Sequence, residues 1–103
     1  MEERTSKQSE INIKVDLNAN NLPIQMHWSA SDGGIENQNA SAFLLSIWNP
    51  EEKNTMKIDL WTREMTIEEM KQFFHQSLLT MADSFEKATG EHLISEDLRD
   101  YCF

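Results

Sequence analysis

The stretch from Thr66 to Gly90, TIEEMKQFFHQSLLTMADSFEKATG, constrains the fold more than any other, because start, face and stop of one long helix are all written in it. Thr66 as N-cap with Glu69 three residues on forms a capping box, each side chain placed to satisfy an amide that the first turn leaves unpaired. Met65 and Met70 flank the cap as a hydrophobic staple. Gly90 supplies the left-handed exit. Between these ends Ile67, Met70, Phe74, Leu78, Met81, Phe85 and Ala88 recur at spacings of three and four, a stripe roughly 35 Å long at about 1.5 Å per residue. Such a stripe requires a partner surface, and the segments before it supply one.

From Ile11 the sequence alternates: Ile11, Ile13, Val15 and Leu17 fall on one face and Asn12, Lys14 and Asp16 on the other, the pattern of a half-buried strand. Asn18 to Asn21 is turn chemistry, and Leu22, Ile24, Met26 and Trp28 alternate in the opposite parity, as a hairpin partner does. Pairing Leu17 with Leu22 sets Val15 against Ile24, Ile13 against Met26 and Ile11 against Trp28. Ser29 to Asn39, centred on Asp32-Gly33-Gly34, reads as the longest loop. Ala42 to Trp48 is apolar on both faces, Asn49 to Asn54 is a turn, and Thr55 to Trp61 alternates again, so Ile47 pairs with Met56, Leu45 with Ile58, Phe43 with Leu60 and Ala42 with Trp61. After Gly90, Ser95 followed by Glu96 and Asp97 reads as the cap of a short terminal helix with Leu98, Tyr101 and Cys102 on its apolar edge. The fold class expected is α+β: a four-stranded antiparallel sheet of two hairpins, the long helix packed on one face, and the short helix at the end. Residues 1–8, polar and without period, read as a flexible tail, and 9–103 as a single domain.

Composition narrows the function classes. The formal charge is -9, with Lys and Arg scattered singly, which argues against a nucleic-acid or anionic-membrane surface. No stretch is long and apolar enough to cross a bilayer and the first residues show no leader pattern, so a soluble, cytoplasmic protein without membrane insertion is expected. Cys102 is the sole cysteine, which rules out an internal disulfide and a multi-cysteine metal site.

No constellation of side chains spells a reaction. His27, His75 and His92 have no partner at metal-ligand spacing and read as surface or flank residues, with a partner contact conceivable at His75. Glu68 and Glu69 suit the helix N-terminus, and Asp83 pairs with Lys87 four residues on. There is no phosphate-cradling glycine loop, no nucleophile elbow and no nucleophile with a base, so neither catalytic residues nor a cofactor is expected. The second sheet face is more informative. Leu44, Trp48 and Trp61 share it, and a helix covering the first face leaves them outside, with Leu98 and Tyr101 on the terminal helix. These five residues are the candidate interface, and a homodimer or other homo-oligomer is the expected assembly.

The strings MHWSASDGG, AFLLSIWNPEEKNTMKIDLWT and MTIEEMKQFFHQSLLTMADSFEKATG closely resemble the GldC family of gliding-motility-associated proteins, over nearly everything from Ser9 to the end. That resemblance implies a small non-enzymatic cytoplasmic accessory protein of surface-gliding bacteria, acting through protein contacts with gliding-machinery proteins as possible partners. The expected layout is also similar to that of the SecB export chaperones, an analogy of architecture alone. A chaperone for unfolded or exported clients, or a small-ligand-binding domain, are the alternative functions.

Overall fold

The structure, a computed structural model, describes residues 3–102. Met1 and Glu2, the first residues of the expected tail, lie outside that range, and residues 3–10 carry no helix or strand. Seven elements follow: β1 (Ile11–Leu17), β2 (Pro23–Ala30), β3 (Ile35–Ala40), β4 (Ala42–Asn49), β5 (Asn54–Trp61), α1 (Ile67–Thr89) and α2 (His92–Tyr101). The chain divides into two compact units, Met1–Met65 with all the strands and Thr66–Phe103 with both helices.

The strands of the first unit form two antiparallel sheets, β1-β2-β3 and β4-β5, in place of the single four-stranded sheet expected from the sequence. The difference lies in the segment expected to be a loop. β2 runs on to Ala30, a tight turn through Gly34 at φ 65° reverses the chain, and Ile35–Ala40 returns as a third strand paired with β2. Its inner residues, Glu36 to Asn39, are all polar, so no hydrophobic alternation announces it. Asn37 takes a positive φ of 44° beside a bulge between Trp28 and Ala30, and its N–H is held by Ser29 Oγ at 3.0 Å.

The β1–β2 register differs from expectation by two residues: Val15 faces Met26, Ile13 faces Trp28 and Ile11 faces Ala30. Two local causes each contribute one. Asn18 Oδ1 accepts from the amides of Asn20 at 2.8 Å and Leu22 at 3.1 Å, lengthening the loop so that Leu17 meets Pro23, and a bulge between Asp16 and Leu17 adds the second shift. One shift alone turns every side chain over; two restore the face. Rows Ile11-Ala30-Ile35, Ile13-Trp28-Gln38 and Val15-Met26-Ala40 therefore share one face, with Met26 buried on its middle strand.

The β4–β5 hairpin has the register read from the sequence along its whole length: Ala42 faces Trp61, Phe43 faces Leu60, Leu45 faces Ile58 and Ile47 faces Met56. Asn49 closes the turn by accepting on Oδ1 from the amides of Glu51 and Glu52 at 2.9 and 3.2 Å, while Lys53 takes a positive φ of 54°. Past Trp61, the Thr62 amide donates to the Ser41 carbonyl at 2.9 Å. Thr62 is buried, yet its Oγ1 has no hydrogen-bond partner among the described residues.

In the second unit the helix devices appear as written. Thr66 Oγ1 accepts from the Glu69 amide at 3.0 Å and the Glu69 carboxylate accepts from the Thr66 amide at 3.3 Å. Gly90 ends α1 at φ 74° and donates to the Glu86 carbonyl at 2.7 Å. Of the expected stripe of α1, Met70 and Phe85 are half-buried and Ile67, Phe74, Leu78 and Met81 are exposed, Met81 by 61%, whereas Ala82 beside them is completely buried. The terminal helix sets that choice by bonding through Arg99 to Asp83 and Glu86 on the flank of α1. It also starts earlier than expected. Ser95 is no cap but a fully buried residue whose Oγ donates to the Glu91 carbonyl at 2.9 Å, and His92 opens the helix. Ala82 on α1 and Ser95 on α2 are the buried residues of the two helices.

Candidate functional site

The strict register of β4–β5 gives this hairpin two faces of different composition. One carries the pairs Ala42-Trp61, Leu44-Asp59, Ser46-Lys57 and Trp48-Thr55. Leu44, Trp48 and Trp61 thus stand on a common face, as expected, and all three are exposed, Trp48 by 60%. Lys57 and Asp59 lie between the two tryptophans and approach each other to 3.5 Å along the strand. Two indoles flanking an ion pair form an amphipathic patch of the kind that concentrates at protein interfaces.

The opposite face carries Phe43-Leu60, Leu45-Ile58 and Ile47-Met56, apolar throughout. Phe43, Leu45 and Leu60 are half-buried, and Ile47, Met56 and Ile58 are exposed. The sequence showed this face as core. Alternation reports that a face is apolar and not what covers it.

On α2, Leu98 and Tyr101 are both exposed, Tyr101 by 85%, so the terminal helix has an apolar edge of its own. The five residues of the candidate interface are all accessible; three belong to the strand unit and two to the helical unit.

The polar side chains of the helical unit form a clasp. Arg99 Nη2 lies 2.8 Å from Asp83 Oδ1 and 2.5 Å from Glu86 Oε2, and His92 Nδ1 donates to the other Glu86 oxygen. Asp83 thus pairs across helices with Arg99, in place of the expected partner Lys87. The hydrogen bond from His92, and after it that from Arg99, hold the Glu86 carboxyl below the ordinary carboxylate range, against the opposing effect of partial desolvation. Glu86, followed by Asp83, raises Arg99 above its usual value. Sequence spacing hid these partners, since thirteen and sixteen residues separate Arg99 from Glu86 and Asp83. His75, on the flank of α1, donates from Nε2 to the Cys102 carbonyl at 2.7 Å and so ties the end of α2 to α1. The clasp has a structural use, and it contains no nucleophile. Among the described residues no group of three or more His, Cys, Asp or Glu side chains is placed to hold a metal ion.

One groove merits comparison with a ligand site. Ile11, Ile13, Trp28, Ala40, Ala42 and Phe43 line about 370 Å³, within the range of small-molecule pockets. Its lining is made almost entirely of apolar atoms, with little of the oriented polar surface that fixes a small ligand. No helix among the described residues is long and apolar enough to cross a membrane.

No curated protein and no solved structure matches the chain. A family model does, over residues 23–103, from the start of β2 to the end of α2 and beyond. The matched region contains the whole β4–β5 hairpin with its tryptophan face and both helices with their clasp, and the chain belongs to the family described as gliding motility-associated protein GldC-like.

Proposed function

We propose that this protein is a non-enzymatic, cytoplasmic accessory component of bacterial gliding motility that works by binding other proteins of that machinery. The family match supports the process. The observation that supports the mode of action is the exposed face of Leu44, Trp48 and Trp61, since large indoles left in water on a regular sheet are the residues that anchor protein contacts. Arg99, Glu86 and Asp83 join one helix to another and are occupied in doing so.

The test is affinity capture from a lysate of a gliding bacterium, comparing the natural chain with the paired variant Leu44→Ser and Trp48→Ser. Motility or envelope-assembly proteins retained by the first and lost by the second are the expected result. Capture that is identical for both contradicts the role given to this face. The exposed apolar face of Ile47, Met56 and Ile58 favours a second reading, holding of unfolded clients, by the same physics of uncovered apolar area. That reading requires suppression of aggregation of an unrelated unfolded protein at near-stoichiometric ratio, and inactivity there removes it.

A further inference from the structure

We infer that two copies of this chain associate through the outer edge of β5, paired antiparallel about a twofold axis at Ile58, to make a continuous four-stranded sheet β4-β5-β5-β4. The starting point is a strand that lacks protection. Among the described residues β5 is bonded only to β4, so its outer edge offers a row of free amides and carbonyls. Exposed edges are commonly blunted by bulges, proline, shortness or polar composition. The other sheet is less regular at its edges: the β1 pairing shifts at Asp16 and Leu17, opposite the extra residue Ile24 of β2, and β3 is short, polar and kinked at Asn37. β5 has eight residues, no proline and an unbroken register. A two-stranded sheet is also marginal in water without further strands or a covering layer.

The register follows from the sequence of β5, NTMKIDLW. A one-residue slip between two antiparallel strands puts the apolar set of one beside the polar set of the other, so allowed registers differ by two. Centring the axis on Lys57 sets Lys57 against its own copy, and centring it on Asp59 sets Asp59 against its own copy, both like-charge contacts. Centring it on Ile58 places Lys57 of each copy against Asp59 of the other, twice. The same choice aligns Met56 with Leu60 and Ile58 with Ile58, joining the apolar faces of both hairpins into one. Thr55 then meets Trp61, leaving Trp48 and Trp61 on the opposite face. Lys57 and Asp59 already pair within the strand at 3.5 Å with side chains 64% and 43% exposed, so exchanging partners between copies buries no isolated charge. Strand chemistry, charge and apolar pattern all select a second copy of this chain as the occupant. The inference is independent of the motility reading.

The experiment is sedimentation equilibrium of the full chain over a concentration series, with circular dichroism confirming that each variant is folded. The natural chain is expected at twice its chain mass. Asp59→Lys, which turns both Lys57 contacts repulsive, is expected to raise the dimer dissociation constant at least about tenfold. The double variant Lys57→Asp with Asp59→Lys restores complementarity with the signs exchanged and is expected to recover the dimer. Asp16→Lys, a matching change on the β1 edge, is expected to leave the mass unchanged. A monomeric natural chain overturns the inference. So does a dimer indifferent to Asp59→Lys but broken by Leu44→Ser with Trp48→Ser, which indicates face-to-face association, or a double variant that fails to recover.

Discussion

Arg99 on α2 brings its Nη2 to 2.5 Å from the Oε2 of Glu86 on α1, and His92 from the first turn of α2 occupies the other oxygen of the same carboxylate. One acid therefore receives two donors from a helix that begins six residues after it. The pairing makes a short C-terminal helix, too short to persist alone, part of a two-helix unit.

A pH dependence follows from this contact. The Glu86 pKa is lowered in the folded chain from its reference value of 4.5. Between that reference value and the lower folded value the unfolded chain binds the extra proton, so Glu86 contributes stability above the reference pKa that is lost as pH falls through the folded value. Melting temperature measured from pH 7 downward is expected to show this loss in the natural chain. Glu86→Gln is expected to melt lower near neutrality and to show a shallower acid decline. An acid decline identical in the two proteins contradicts the role assigned to Glu86.

Thr62 gives a prediction of opposite sign. Its hydroxyl is buried without a partner among the described residues, while its amide is bonded to Ser41. Valine has nearly the same shape and no hydroxyl to desolvate, so Thr62→Val is expected to be neutral or to stabilise by about 1 kcal/mol. Chemical denaturation measures this. A clear loss of stability shows that the hydroxyl is bonded in solution.

At the start of α1, Thr66→Ala removes the acceptor for the Glu69 amide and is expected to cost about 1 kcal/mol. The reciprocal bond from the Thr66 amide to the Glu69 side chain survives, so adding Glu69→Ala is expected to lower the denaturation midpoint again. No further loss in the double variant contradicts the reciprocal box.

Phe74 tests the exposed stripe of α1. A phenylalanine buried in a core costs about 3–5 kcal/mol when cut to alanine. Phe74 is 46% exposed, and its ring meets Phe73 edge-on at a centroid distance of 5.8 Å. Phe74→Ala is accordingly expected to cost about 1 kcal/mol, the scale of an aromatic pair. A loss of 3 kcal/mol or more, on the scale of a buried ring, contradicts that exposure in solution.

The features legible in the sequence are those fixed by neighbours in the chain. Thr66, Glu69 and Gly90 specify both ends of α1 through contacts within one turn. Asn49 and the alternation on either side of it specify the β4–β5 register. The β1–β2 pairing is legible in face and not in register, because the longer loop at Asn18 and the bulge each shift it by one residue, and the two shifts together return the apolar residues to the same face. β3 was invisible for want of apolar residues between Ile35 and Ala40; it is held as a strand by pairing with β2. At the candidate site, sequence placed Leu44, Trp48 and Trp61 on one face, since that depends only on parity and a turn. It did not separate the buried flank of α1 at Ala82 from the exposed stripe at Met81, because that depends on where a later helix docks.

The central claim is that the exposed tryptophan face of β4–β5 carries the work of this protein in gliding. Its most direct test is movement itself. In a gliding strain lacking the chain, the natural sequence and the Leu44→Ser, Trp48→Ser variant are supplied at equal abundance and the speed of single cells on a surface is measured. The natural chain is expected to restore gliding and the variant to leave it impaired. Full restoration by the variant, with its abundance and helical signal unchanged, would contradict the account.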